Sequence, residues 1–169
     1  MADRTRFAAY ALAAAVLALD AGTKALIVNL FHLGERAEIT AFFNLVYWLN
    51  TGAAFSFLQD AGGWQRWFFV VIALAVSVWL VREISAHGTD ALLRMGYGLI
   101  LGGALGNVVD RLFRGAVVDW LDFHWRSYHW PAFNLADSAL VGGVGLVLIH
   151  GLAERGDAPT GSAAKRNQV

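Results

Sequence analysis

Four stretches of this chain, roughly Phe7 to Phe31, Trp67 to Ile84, Leu92 to Phe113 and Phe133 to Leu152, are long and apolar enough to cross a bilayer as helices. An even number of crossings returns both termini to one side. The apolar share of the sequence is 57%, above the ~45–50% of ordinary soluble domains. Residues 1–154 therefore read as a single membrane-embedded domain, mainly α, and the polar stretch 155–169, poor in bulky side chains, as a disordered tail.

The loops between the runs are unequal. Arg4, Arg6, Arg82, Arg94, Arg155, Lys165 and Arg166 flank the termini and the short 85–91 turn, and Arg36, Arg66, Arg111, Arg114 and Arg126 belong to the two longer loops. This seven-to-five excess favours cytoplasmic termini. Trp48, Trp64, Trp67, Trp120, Trp125 and Trp130 fall in or beside the longer loops, leaving Trp79 near the opposite face. Indole rings prefer the headgroup zone, so the outer side is expected to form a broad interfacial platform. Residues 38–58, rich in aromatic and β-branched types but broken by Asn44, Asn50 and Gly52, predict short strands lying on the membrane. Gly115 to Pro131 is too short to span and predicts an interfacial loop or short helix.

Several readings are excluded. With zero formal charge and no Lys/Arg stripe, the chain lacks the footprint of a nucleic-acid binder. It has no cysteine, which removes disulfides and thiolate chemistry. His32, His87, His124, His129 and His150 show no metal-ligand spacing, so no metal and no cofactor is expected. Ser56 and Ser138 have no base at a recognisable spacing. Arg4 and Arg6 before an Ala/Leu-rich run imitate a secretory signal, but the run continues past Asp20 and Lys24 to Phe31, the length of a span.

What remains is acidic. Asp20, Asp110, Asp119 and Asp137 lie inside or at the mouths of the apolar runs, where a carboxylate costs at least ~2.5 kcal/mol and so faces a polar cavity, pairs, or does chemistry. Asp20 and Lys24 stand four apart and can pair on one helical face, or help position a substrate. Asp110 beside Arg111 is either a structural pair at a helix end or part of a site, with Asn107 on the same face. Asp119 has no local cation. Asp137, where the fourth run begins, is either a helix cap or a site carboxylate. Two carboxylates brought close cannot both ionise readily; one keeps a proton while the other activates a water. That pairing equips a protein to hydrolyse an amide without metal or covalent nucleophile. The glycines of Gly102-Gly103-Ala104-Leu105-Gly106-Asn107 suit close helix packing. Asn50-Thr51-Gly52-Ala53-Ala54-Phe55-Ser56 is either an ordinary turn or a cradle for an extended peptide.

Taken in order, Asp20-Ala-Gly-Thr-Lys24, Asn50-Thr-Gly-Ala-Ala-Phe-Ser56, Gly103-Ala-Leu-Gly-Asn-Val-Val-Asp-Arg111, Val117-Val-Asp-Trp120 and Phe133-Asn-Leu-Ala-Asp-Ser138 resemble the motifs of the bacterial lipoprotein signal peptidases, or signal peptidase II. The likeness runs from Asp20 to Ser138. It departs at Ala21, where that family usually has Gln.

The resemblance implies four transmembrane helices with a small β-rich periplasmic cradle and a short interfacial periplasmic segment, in the bacterial inner membrane, with both termini cytoplasmic. It implies an aspartic endopeptidase that removes the signal peptide from diacylglyceryl-modified prolipoproteins, on the N-terminal side of the lipidated cysteine. Asp119 and Asp137 would be the catalytic pair. Asp20, Lys24, Asn50, Gly52, Asn107, Asp110, Arg111 and Asn134 would shape the site or hold substrate. Membrane lipid and globomycin-type peptide inhibitors are the further partners implied. Two other readings compete. A proton-coupled transporter would also carry membrane aspartates, but would commonly show internal repeats, and none is visible. A non-enzymatic assembly factor would use the aspartates only to pair with arginines.

Overall fold

In the computed structural model, residues 2–52, 62–86 and 88–156 are described. Four helices, α1 (Ala2–Leu30), α2 (Trp64–Ser85), α3 (Ala91–Arg114) and α4 (Leu135–Gly156), carry the apolar runs, and between them lie four strands, β1 (Arg36–Thr40), β2 (Phe43–Asn50), β3 (Val117–Trp125) and β4 (Tyr128–His129). Each helix is long and apolar enough to cross a membrane.

The helix α3 is central. It packs against each of the other three, and its glycines make that possible. A Cβ at Gly98 would stand 2.5 Å from the carbonyl oxygen of Ala9, and one at Gly102 2.6 Å from that of Ala13, so α1 lies against bare backbone. Gly103 and Gly96 meet α4 in the same manner, at Ala136 and Gly143. Asp90 caps α3 by accepting the Leu92 N–H at 2.7 Å. Gly115 ends the helix in the left-handed region, φ 81°, where a residue with a Cβ is strained.

The two ends of the bundle differ. At one end Ala9, Ala13, Leu80, Ile84, Tyr97 and Leu101 form an apolar core, closed by the Tyr10 hydroxyl at the Val81 carbonyl (3.1 Å) and by Arg94, which donates to Thr5 Oγ1 (2.6 Å) and to the Ala86 carbonyl (2.8 Å). The start of α1, the end of α2 and the start of α3 therefore share this end. The sheet stands at the other. Outward faces of the helices expose large apolar residues such as Leu19, Leu26, Val71, Val78 and Leu148, as lipid-facing surfaces do.

The sheet runs β1-β2-β3-β4, antiparallel throughout. Trp48 pairs with Asp119 and Asn50 with Val117; the register slips between Leu45 and Trp48. The 115–131 segment is thus strand, not the expected loop or short helix. Its backbone is claimed on one side by β2 and on the other by Phe133, which exchanges hydrogen bonds with Leu121 (2.9 and 3.1 Å). These partners satisfy the peptide groups that a helix would otherwise satisfy internally. The strands expected within 38–58 are present as β1 and β2; Ala53 to Ser56 of the Asn50–Ser56 motif, and 157–169 of the tail, lie outside the described residues.

Candidate active site

Strand β3 and helix α4 place two acids at one cavity. The Leu121–Phe133 bridge holds the start of α4 against β3, which brings Asp119, on the strand, beside Asn134, the residue before the helix. The Nδ2 of Asn134 donates to Asp119 Oδ1 at 2.8 Å. Its Oδ1 accepts the Asp137 backbone N–H at 2.9 Å, and Asp137 Oδ2 in turn accepts the Asn134 N–H at 3.3 Å. This reciprocal pattern is a capping box with Asn134 and Asp137 as its members. The two readings of Asp137 are therefore compatible. One oxygen caps the helix; the other, Oδ1, accepts from Asn107 Nδ2 at 2.8 Å, and the residue borders the cavity.

That cavity, about 1230 Å³, is bordered by Asp119, Asp137, Asn50, Gly52, Asn107 and Arg111, with Trp48, Trp130, Phe133 and Leu140 among its apolar walls. Asn50 Nδ2 donates to the second oxygen of Asp119 at 3.0 Å. Asn50 Oδ1 also accepts the Gly52 N–H (3.0 Å), and Arg111 donates to the Gly52 carbonyl (2.8 Å) while stacking on Phe69. The rim of the cavity is thereby pinned to α3.

Asp119 is almost wholly buried. Burial, and then the negative charge of Asp137, push its carboxyl up to about 7, although the amides of Asn50 and Asn134 favour the ionised form. A carboxyl poised there can hold or release a proton near neutral pH.

Asp20, Lys24 and Asp110 do not border this cavity; they stand behind it. Lys24 Nζ donates to Asn107 Oδ1 (3.1 Å) and forms ion pairs with Asp20 Oδ2 (2.7 Å) and Asp110 Oδ2 (3.0 Å). The i,i+4 pair expected of Asp20 and Lys24 is formed. Asp20 also accepts the Ala136 N–H at 2.9 Å, reaching from α1 to the open amino end of α4, where negative charge is favoured. Asp110 does not pair with Arg111. It takes Lys24, Arg114 and the Val118 N–H (3.0 Å) instead, while Arg111 turns to the cavity.

Sequence reasoning missed one polar cluster altogether. Asp122, fully buried in β3, accepts Asn44 Nδ2 at 2.7 Å and His129 Nδ1 at 2.8 Å, with Arg36 Nε at 3.8 Å. One carboxylate so links all four strands. None of these partners is near it in sequence except His129, and no spacing rule marks the set.

A four-helix membrane bundle with two acids bordering one cavity at its sheet end is thus defined by geometry. The chain matches the model of the family described as signal peptidase (SPase) II over residues 12–153. It is similar to the lipoprotein signal peptidase of Azoarcus sp. (strain BH72), 53% identical over 81% of this chain and 78% of the relative. It is also similar to that of Cupriavidus pinatubonensis, 51% identical over 84% and 81%. Among solved structures it resembles one described as a bacterial membrane enzyme structure obtained in meso at 2.3 Å, with TM-score 0.81 and 30% identity, covering 92% of this chain and 94% of that one. A second, at 1.9 Å, gives TM-score 0.74 and 31% identity over 86% and 92%. The chain is a multi-pass membrane protein and belongs to the signal peptidase II family of peptidases.

Proposed function

We propose that this chain is an aspartic endopeptidase of the bacterial inner membrane, which cuts diacylglyceryl-modified prolipoproteins on the N-terminal side of the lipidated cysteine. The observation that carries the reading is the shared cavity of Asp119 and Asp137, with Asn134 hydrogen-bonded to both. The cavity is large and mainly apolar in its walls, which suits a substrate that brings both an extended peptide and hydrocarbon. The sheet end would face the periplasm, where such a substrate lies, with both termini cytoplasmic. Bound membrane lipid and globomycin-type peptide inhibitors would compete for the same apolar walls.

In the reaction, one aspartate takes a proton from a water held between the pair. The oxygen attacks the scissile carbonyl carbon, and the other aspartate gives its proton to the carbonyl oxygen as the tetrahedral intermediate forms. Collapse re-forms the carbonyl and breaks the C–N bond. The proton first taken from water passes to the leaving amine, and the carbonyl oxygen's proton returns to its donor. Asn50, Asn107 and Asn134 hold the carboxylates in place throughout, and Arg111 with Gly52 fixes the rim against which the peptide lies. Incubating purified protein with a precursor before and after diacylglyceryl transfer tests the substrate. Only the modified precursor should be shortened, with the new amino terminus at the lipidated cysteine; equal cutting of both would refute the lipid requirement.

A further inference from the structure

A second hollow, about 390 Å³, lies between α1 and α3 and shares no wall residue with the large cavity. Its polar side is Asp20, Lys24, Asp110 and Arg114; Ala21 and Val109 are among its other walls. The polar groups are graded in depth. Arg114, a third exposed, is the last residue of α3 at the sheet end. Asp110 is one turn deeper, and Lys24 lies six residues from the end of α1 at Leu30, about 9 Å along the helix.

Three of these ionisable side chains are within 2% of full burial. Charges at that depth persist where they pair and where water reaches them. The hollow is more than ten times the ~30 Å³ a water occupies, and Arg114, a third exposed, offers it several hydrogen-bond donors, the conditions under which a cavity is wet. Between it and the proposed catalytic pair stands one layer of side chains: Lys24 holds Asn107, and Asn107 holds Asp137.

We propose that this hollow is an aqueous crevice, entered at the α1/α3 rim beside Arg114, whose ligand is a cluster of ordered water. The water solvates Arg114 and, through the Arg114–Asp110 ion pair, supports the buried Asp20–Lys24–Asp110 cluster; through Lys24 and Asn107 that cluster keeps Asp137 in position from behind, whether or not substrate fills the front cavity. Its effect on turnover rests on the reading of Asp119 and Asp137 as the catalytic pair; its wetness does not.

Because the sequence has no cysteine, single cysteines report cleanly. In full-length protein in lipid vesicles, Ala21→Cys should react with a small charged thiosulfonate at least about tenfold faster than Leu19→Cys, which is exposed on the opposite side of the same helix and is no wall of the hollow, since only a hydrated thiol ionises readily. Equal rates, or reaction of Ala21→Cys with a lipophilic maleimide alone, would show an acyl chain there and overturn the proposal. Ala21→Leu, which fills the hollow without touching substrate, should lower kcat severalfold at unchanged KM. Fast labelling with undiminished kcat in Ala21→Leu would overturn the link to the active site. Loss of cleavage in Asp119→Asn alongside either result would leave the catalytic pair standing, so the two readings fail separately.

Discussion

Asn134 Nδ2 lies 2.8 Å from Asp119 Oδ1, and this bond ties a strand residue to the helix cap that carries Asp137. One amide therefore sets the relative position of two acids that are 18 residues apart in the chain. Its carbonyl end fixes the helix; its amide end fixes the strand.

Replacing Asn134 with Ala should remove both functions. The lost cap costs about 0.5–2 kcal/mol, visible as a lowered Tm. The unheld carboxylates should lower kcat by about 10²-fold or more, in the range of general acid–base contributions. A melt and a cleavage assay on the same preparation check both; an unchanged kcat would mean that Asn134 only caps the helix.

The pH profile follows from Asp119. Its carboxyl titrates near 7, above the ordinary 3.8, chiefly because it is buried and secondly because Asp137 is close. The native state therefore holds this proton more tightly than the unfolded chain does, and the stability so gained is complete at low pH and lost as pH rises through about 7. A pair that works with one shared proton should lose activity over the same interval, falling by about tenfold per pH unit above it. Initial rates between pH 5 and 9 measure this; a rate still climbing at pH 9 would contradict it.

Lys24→Met should be severely destabilising. It leaves Asp20 and Asp110 buried without their shared cation, a loss of about 3–5 kcal/mol by comparison with other broken buried pairs. Denaturant titration in detergent gives the value, and wild-type stability in this variant would show that the carboxylates are neutral.

Asp122 makes an opposite pH prediction. Burial raises its pKa, but the hydrogen bonds from Asn44 and His129 and the charges of His129 and Arg36 outweigh that and hold the carboxyl below its usual range. Stability from this group is present above the ordinary carboxylate value and is lost as pH falls through the lowered one. Asp122→Asn should abolish that acid-side loss and loosen β4, as seen by hydrogen exchange at Trp125 and Tyr128. Unaltered exchange would show that the backbone pairing alone holds the hairpin.

Much of the fold was legible because it is periodic or local. Helices spanning a bilayer announce themselves by length and hydropathy, the Asp20–Lys24 pair by its spacing, and the glycines of α3 by their clustering. What was not legible depends on partners far away in the chain. Val117–Trp125 reads as an interfacial segment until β2 and Phe133 are seen to take its hydrogen bonds. Asp110 stands next to Arg111 in the sequence, yet adjacent residues on a helix point apart, and its partners are Lys24, 86 positions earlier in the chain, and Arg114. Asn44 and Asp122 carry no local signal of their bond at all, since 78 residues separate them.

The central claim is that Asp119 and Asp137 act as one catalytic unit. Single-turnover cleavage of a diacylglyceryl-modified precursor by Asp119→Asn and by Asp137→Asn, each verified as folded by its melting transition, tests it most directly. The account predicts no detectable product from either variant over many wild-type turnover times. Full processing by either one would contradict it.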